Sequence, residues 1–126
     1  MIIRIKNLRL RAIVGTNAWE REAPQDVIFN IRMEFDGTKV AETDDLASTI
    51  DYKMMKRRII KEVEEAHFYL LETLASRVLR IVMEEEKVQK ATIEVDKPHA
   101  LRFTDSVSVS CSAERKGKDR LWKIVD

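Results

Sequence analysis

The chain has 126 residues, enough for one domain, and 44% of them are hydrophobic, enough for a core. Charged residues make up 36%, but 23 basic side chains against 22 acidic ones leave a net charge of +1, which argues against a nucleic-acid module with its clearly basic patch. No apolar run approaches the roughly 20 residues of a membrane span, the charged start "MIIRIKNLRLR" argues against a secretory signal, and Cys111 has no second cysteine to pair with, so a reducing cytoplasm is expected.

The first segment, "IIRIKNLRLRAIVG", reads as a strand. Ile3 and Ile5 share one phase, and Leu8, Leu10, Ala12 and Val14 the other, so a bulge is expected near Asn7. Gly15 to Gln25 reads as a loop, punctuated by Gly15 and Pro24. A second strand follows in "DVIFNIRMEFDG", with Val27, Phe29, Ile31, Met33 and Phe35 facing one way. The period then changes. Met55, Ile59, Val63 and Ala66 lie at helical spacing, with Ser48 or Thr49 as the expected cap. A second helix is expected from Phe68 or Tyr69, with Leu71, Leu74, Val78 and Ile81 or Val82 as its apolar stripe. Two more strands come from "KATIEVDK" and from "DSVSVSCSAE", where Val107, Val109, Cys111 and Ala113 alternate with serines.

The order is ββααββ, an α+β domain over residues 1–115, with a basic then apolar C-terminal arm over 116–126 that docks elsewhere. Two helices are expected on one face of a four-stranded antiparallel sheet. Its strands are long and their edges bare, which invites pairing with other copies, for example as a closed oligomeric β-barrel. A homo-oligomer is therefore expected.

Several residues have the right chemistry for a site. Lys97 continues the apolar phase of Ile93 and Val95 and stands before Pro98. A lysine in apolar surroundings gives up its proton more readily and serves in acid–base work. The alternative is a strand-end lysine that snorkels to water. Glu72 falls in the first turn of the second helix, where the helix dipole keeps a carboxylate ionised. There it can accept two parallel hydrogen bonds from the edge of a nitrogen heterocycle, or it is an ordinary first-turn acid. "TIDY", residues 49–52, offers the phenol of Tyr52, which either stacks on a flat ligand and relays a proton or packs as a half-buried aromatic. Glu20 is a loop carboxylate beside Trp19, a base or a solvated acid, and Glu22 lies two residues on. Cys111 reads most simply as a small buried hydrophobe. His67 and His99 stand far apart without a ligand pattern, and no metal site is expected.

Taken in order, "TIDY", "YLLETLA" and "VDKPHALRFTDSVSV" resemble the family of dihydroneopterin aldolases and dihydroneopterin triphosphate 2′-epimerases, over nearly the whole chain. "IRIKNLRLR" and "HALRF" are similar to the epimerase branch, while "RAIVG" and Asp51 depart from the aldolase pattern. The resemblance implies the tunnelling fold, a cytoplasmic homo-oligomer (a tetramer or octamer) with sites at subunit interfaces, and a small pterin substrate with no membrane partner. It implies that Glu72 and the Leu71 backbone anchor the pterin edge, and that Ile50, Asp51 and Tyr52 line the pocket from a neighbouring subunit. It also implies that Lys97 is catalytic and that Glu20 lies near the substrate's side chain. His99 and Arg102 are candidates for the triphosphate by position. The implied activity is inversion of C2′ of 7,8-dihydroneopterin triphosphate, with aldol cleavage to 6-hydroxymethyl-7,8-dihydropterin and glycolaldehyde as the alternative and a non-catalytic pterin-binding role as a third. No cofactor is implied, because the dihydropterin carries its own C=N bond at N5.

Overall fold

The computed structural model describes residues 1–116 and 121–125. Its elements run β1 (Ile2–Val14), β2 (Gln25–Glu34), α1 (Thr38–Thr43), α2 (Tyr52–Glu65), β3 (His67–Phe68), α3 (Leu71–Met83), β4 (Lys90–Pro98), β5 (Ser106–Lys116) and β6 (Leu121–Val125). The sheet order is β3-β1-β2-β4-β5-β6. The four expected strands form its centre and pair antiparallel with one another. Two strands were not expected. The two-residue β3 runs parallel to the end of β1, pairing Ile13 with His67 and Val14 with Phe68, so the sheet is mixed. Residues 121–125, from the expected C-terminal arm, lie antiparallel on β5 as β6.

The slip in β1 falls where the phase change puts it. The register with β2 shifts between Ile5 and Leu8, and Asn7 takes φ 52°, a left-handed conformation that asparagine tolerates. The bulge places Ile3, Ile5, Leu8, Leu10 and Ala12 on one face, opposite Met33, Ile31, Phe29, Val27 and Gln25. Ala91, Ile93 and Val95 of β4 join that face, with Ala113, Cys111 and Val109 of β5 across from them.

Helices α2 and α3 cover it. Met55, Ile59 and Val63 are the buried face of α2, while the expected Ala66 is only half-buried, because the helix has ended by then. Leu71, Leu74, Ala75, Val78, Leu79, Ile81, Val82 and Met83 are buried on α3, a wider stripe than the sequence period alone marks. Phe29, Ile59, Leu74, Leu79 and Ile93 are 0% exposed. Each such side chain contributes about 1.5–3 kcal/mol relative to leaving it in water.

Three boundaries differ from expectation. The cap of α2 is Asp51, whose Oδ1 accepts from the Met54 N–H at 3.1 Å, not Ser48 or Thr49, which belong to a preceding turn. Phe68 is a strand residue and α3 begins at Leu71, because Phe68 is drawn onto the end of β1. The short α1 lies on polar sequence with no buried residue, so it left no apolar period to read. No helix among the described residues is long and apolar enough to cross a membrane.

Candidate active site

Strand β4 carries its buried phase to its end. Lys97 lies on the core face, across from Val107 on β5 and two residues beyond Val95. Its side chain is 13% exposed, and the Nζ donates to Oε2 of Glu20, whose side chain is 6% exposed. The lysine does not snorkel. It ends in a buried ion pair with a residue 77 positions away.

Glu20 reaches this point from the loop between β1 and β2, on a short turn over Ala18–Arg21. Its Oε1 accepts from the backbone N–H of Asn17 at 3.2 Å and from the Asn17 side-chain amide at 2.8 Å. Its Oε2 also accepts from Nε2 of Gln25 at 3.1 Å. Burial works to raise the Glu20 pKa, but the hydrogen bonds from Lys97, Gln25 and Asn17 and the charge of Lys97 outweigh it and hold the carboxyl down at about 2. Glu20 is therefore an anion at neutral pH. Glu22 is exposed, so of the two acids in the loop it is Glu20 that turns inward.

Gly15 makes room for this carboxylate. It has φ 139°, and a Cβ there would overlap the Glu20 carboxylate. Its N–H donates to the Phe68 carbonyl at 3.1 Å. Arg21 ties the same parts together. Its Nη1 donates to the carbonyls of Gly15 at 3.3 Å and Phe68 at 2.6 Å, and its guanidinium stacks 3.8 Å over the Tyr69 ring. The loop that carries Glu20 is thus joined to the segment that leads directly into α3, where Leu71 is buried and Glu72 is exposed in the first turn. Leu70, the cap of α3, offers no side-chain cap, which leaves the first N–H groups of the helix available beside Glu72.

The "TIDY" residues lie elsewhere. Ile50 is 1% exposed and Tyr52 is 49% exposed. With Asp51 they line a groove of about 350 Å³, together with Leu46, Thr49, Lys53, Met54 and Arg57. This groove is at the N-terminal end of α2, whereas the C-terminal end of α2 runs into β3 beside Gly15. The helix has 14 residues, so about 21 Å of helix separates the two ends. Lys97, Glu20 and the start of α3 are brought to one end of the helical layer, and Tyr52 to the other.

His99 and Arg102 are exposed on the loop between β4 and β5. His99 and Phe103 both take left-handed conformations, φ 61° and 67°, and Phe103 is fully exposed. Such a conformation is uncommon for a bulky residue. Cys111 is half-buried on the core face of β5, across from Ile93. Among the described residues no group of three or more His, Cys, Asp or Glu side chains is placed to hold a metal ion.

Sequence reasoning missed Asn17, Gln25, Gly15 and Arg21. One signal was available: "NAWE" has the Asn-x-x-Glu spacing of a capping box, in which the acid reaches back to the N–H of the asparagine. Nothing local marks Gln25 or Arg21.

A family model described as FolB, dihydroneopterin aldolase, matches residues 3–112. The chain is 40% identical over 113 residues to the dihydroneopterin triphosphate 2′-epimerase of Pseudomonas aeruginosa, covering 90% of this chain and 92% of that protein. It is 29% identical over 108 residues to the dihydroneopterin aldolase of Escherichia coli K12, covering 86% and 88%. In structure it is similar to E. coli dihydroneopterin aldolase in complex with neopterin, with a TM-score of 0.84 at 28% identity over 89% of this chain and 97% of that one.

Proposed function

Since the chain belongs to the dihydroneopterin aldolase family and has its tunnelling fold, we propose that it is a dihydroneopterin triphosphate 2′-epimerase. Two findings support this reading within the family. The epimerase relative is 40% identical and the aldolase relative 29%. The observation that carries the chemistry is the buried Lys97–Glu20 pair, an ammonium held by an anion on the core face of a strand end.

The reaction proceeds by retro-aldol cleavage. The 2′-hydroxyl loses its proton, the C1′–C2′ bond breaks, and its electron pair moves through C6 onto N5, which takes up a proton. The result is an enamine-like pterin and an aldehyde that keeps the triphosphate. Re-addition of C1′ to the opposite face of the aldehyde reverses the electron flow, returns both protons and inverts C2′. Protonation of C1′ instead would release 6-hydroxymethyl-7,8-dihydropterin, the aldolase outcome. Lys97 and Tyr52, with ordered water, carry the acid–base work. Glu20, held at about 2, is too weak a base to compete for the lysine's proton and keeps the ammonium in place. Glu72 and the Leu71 backbone take the pterin's amino edge, and Ile50 and Asp51 wall the pocket.

Because Tyr52 lies a helix length from Lys97, this site is complete only where two copies meet, in the tetramer or octamer the resemblance implies. Sheet edges are available for such a meeting. β1 is paired by β3 only at Ile13 and Val14, and β5 by β6 only from Ser112 onward.

The test is to incubate the protein with 7,8-dihydroneopterin triphosphate and, separately, with the unphosphorylated compound, and to resolve the products by chromatography. The reading expects the C2′ epimer, dihydromonapterin triphosphate, from the first. Hydroxymethyl-dihydropterin as the sole product would make the protein an aldolase. Binding with no turnover of either compound would leave it a pterin-binding protein.

A further inference from the structure

The substrate proposed above ends in a chain of phosphates, and Lys97, Glu20, Glu72 and Tyr52 leave those phosphates without a partner. Helix α2 has an unusual order of charge. Its first seven residues, "YKMMKRR", hold Lys53, Lys56, Arg57 and Arg58 and no acid, and its last four, "EVEE", hold Glu62, Glu64 and Glu65. The dipole of a helix favours acids at its start and bases at its end, so this order is the unfavourable one. Arg58 is neutralised by Glu84, with Glu62 at 3.9 Å. Among the described residues, Lys53, Lys56 and Arg57 have no acid within ion-pair distance.

Two of these three, Lys53 and Arg57, are one turn apart and line the same groove of about 350 Å³ as Ile50 and Tyr52. The one acid among the lining residues, Asp51, already accepts the Met54 N–H. The groove thus has a flat phenol, an apolar floor and two uncompensated cations at one end. We propose that it is the subsite for the phosphate chain of the substrate, with Lys53 and Arg57 holding the phosphate oxygens. Arginine matches phosphate oxygens with a planar fork and lysine with a compact charge. An anion there also removes the repulsion that the reversed charge order builds into α2. The inference rests on the reading of Tyr52 as a wall of the site. It places the choice between phosphorylated and free substrate on α2 of one copy, and the bond-breaking lysine on β4 of the other. His99 and Arg102, on the β4–β5 loop, line none of this groove.

The experiment compares wild type, a Lys53→Gln/Arg57→Gln double variant and Arg102→Ala. Each is assayed for steady-state turnover of dihydroneopterin triphosphate and of unphosphorylated dihydroneopterin, and for inhibition by inorganic tripolyphosphate. All the substituted residues are exposed, and an unchanged melting temperature verifies folding. For the double variant, the expected loss of kcat/KM on the triphosphate is at least tenfold greater than on the free compound. Most of it should appear in KM, and tripolyphosphate should weaken as an inhibitor by a similar factor. Equal losses on the two substrates, or an unchanged inhibition constant, overturn the proposal. So does finding the discrimination in Arg102→Ala and not in the double variant. A wild type that turns over only the unphosphorylated compound refutes the epimerase reading instead, and tripolyphosphate inhibition then still decides the groove.

Discussion

Replacing Glu20 by glutamine removes a charge without removing volume, and the structure sets what this should do to stability as pH changes. The Glu20 carboxyl has a value of about 2 in the folded chain against 4.5 for an unperturbed glutamate. Each unit of that difference is worth about 1.4 kcal/mol, so the ionised carboxylate favours the folded chain by about 3 kcal/mol. The side chain is 6% exposed, so solvent does little to screen it. Because the folded value lies below the unfolded one, this stabilisation is present in full above pH 4.5 and is lost as pH falls toward 2. Between about pH 6 and about pH 3 the wild type should therefore lose about 2 kcal/mol more than Glu20→Gln does. Urea unfolding of both proteins at the two pH values, at one protein concentration, measures this. Other carboxylates titrate in the same window, but they are common to both proteins and cancel in the difference. A wild-type-minus-variant difference that stays constant within about 0.5 kcal/mol across the window would refute the ionised, ion-paired Glu20.

The other predictions concern the parts around this pair. Lys97→Met strands the Glu20 carboxylate in the interior and should cost about 3–5 kcal/mol in unfolding measurements. A Lys97→Met/Glu20→Leu double variant should recover much of that stability, while product formation stays at least about a hundredfold below wild type in both. Gly15→Ala forces a Cβ into the Glu20 carboxylate at φ 139° and should lower the melting temperature, and adding Glu20→Ala should return part of the loss. Arg21→Ala gives up two carbonyl partners and the Tyr69 stack and should cost about 1.5–3 kcal/mol, with a fall in kcat that Arg21→Lys does not fully restore. Lys97→Ala and Tyr52→Phe copies, each inactive alone, should regain about a quarter of wild-type activity when dissociated, mixed and reassembled, if each site draws one residue from each copy. No regained activity would place both residues in one chain's site.

The long central strands and the two main helices were legible because each has a strict period over many residues. The slip at Asn7 could be read because hydrophobic phase in a strand has only two values, and a change between them has to be absorbed by an extra residue. The features that escaped are those without a period. β3 is two residues long and exists because His67 and Phe68 meet the end of β1, far away in sequence. The α2 start was misread because Ser48, Thr49 and Asp51 are all acceptable caps, and only the fold decides that Asp51 is the one used. In the site, Lys97 could be singled out from its phase but its partner could not, because Glu20 is 77 residues away on an irregular loop. The structure removes the snorkelling reading of this lysine: it is paired inside the protein and does not reach out to water.

A buried ion pair is weak evidence for stability by itself, because taking two charges from water costs about as much as their attraction returns. The Lys97–Glu20 pair therefore asks for a reason beyond stability, and its position suggests one. It sits where β4 ends, where the β1–β2 loop folds back, and beside the segment that starts α3. Strand β4 and the β1–β2 loop meet in the pair, and Gly15 and Arg21 tie that loop to the segment before α3. Asn17, Gln25 and Lys97 together supply four donors to one carboxylate, so Glu20 has little freedom to follow the lysine if it moves. An ammonium on such a fixed anion stays in one place through a turnover, since its counter-charge does not relax in between. The proposed reversible carbon–carbon cleavage would use this property, because the group that meets the substrate on cleavage has to be in the same place when the bond re-forms.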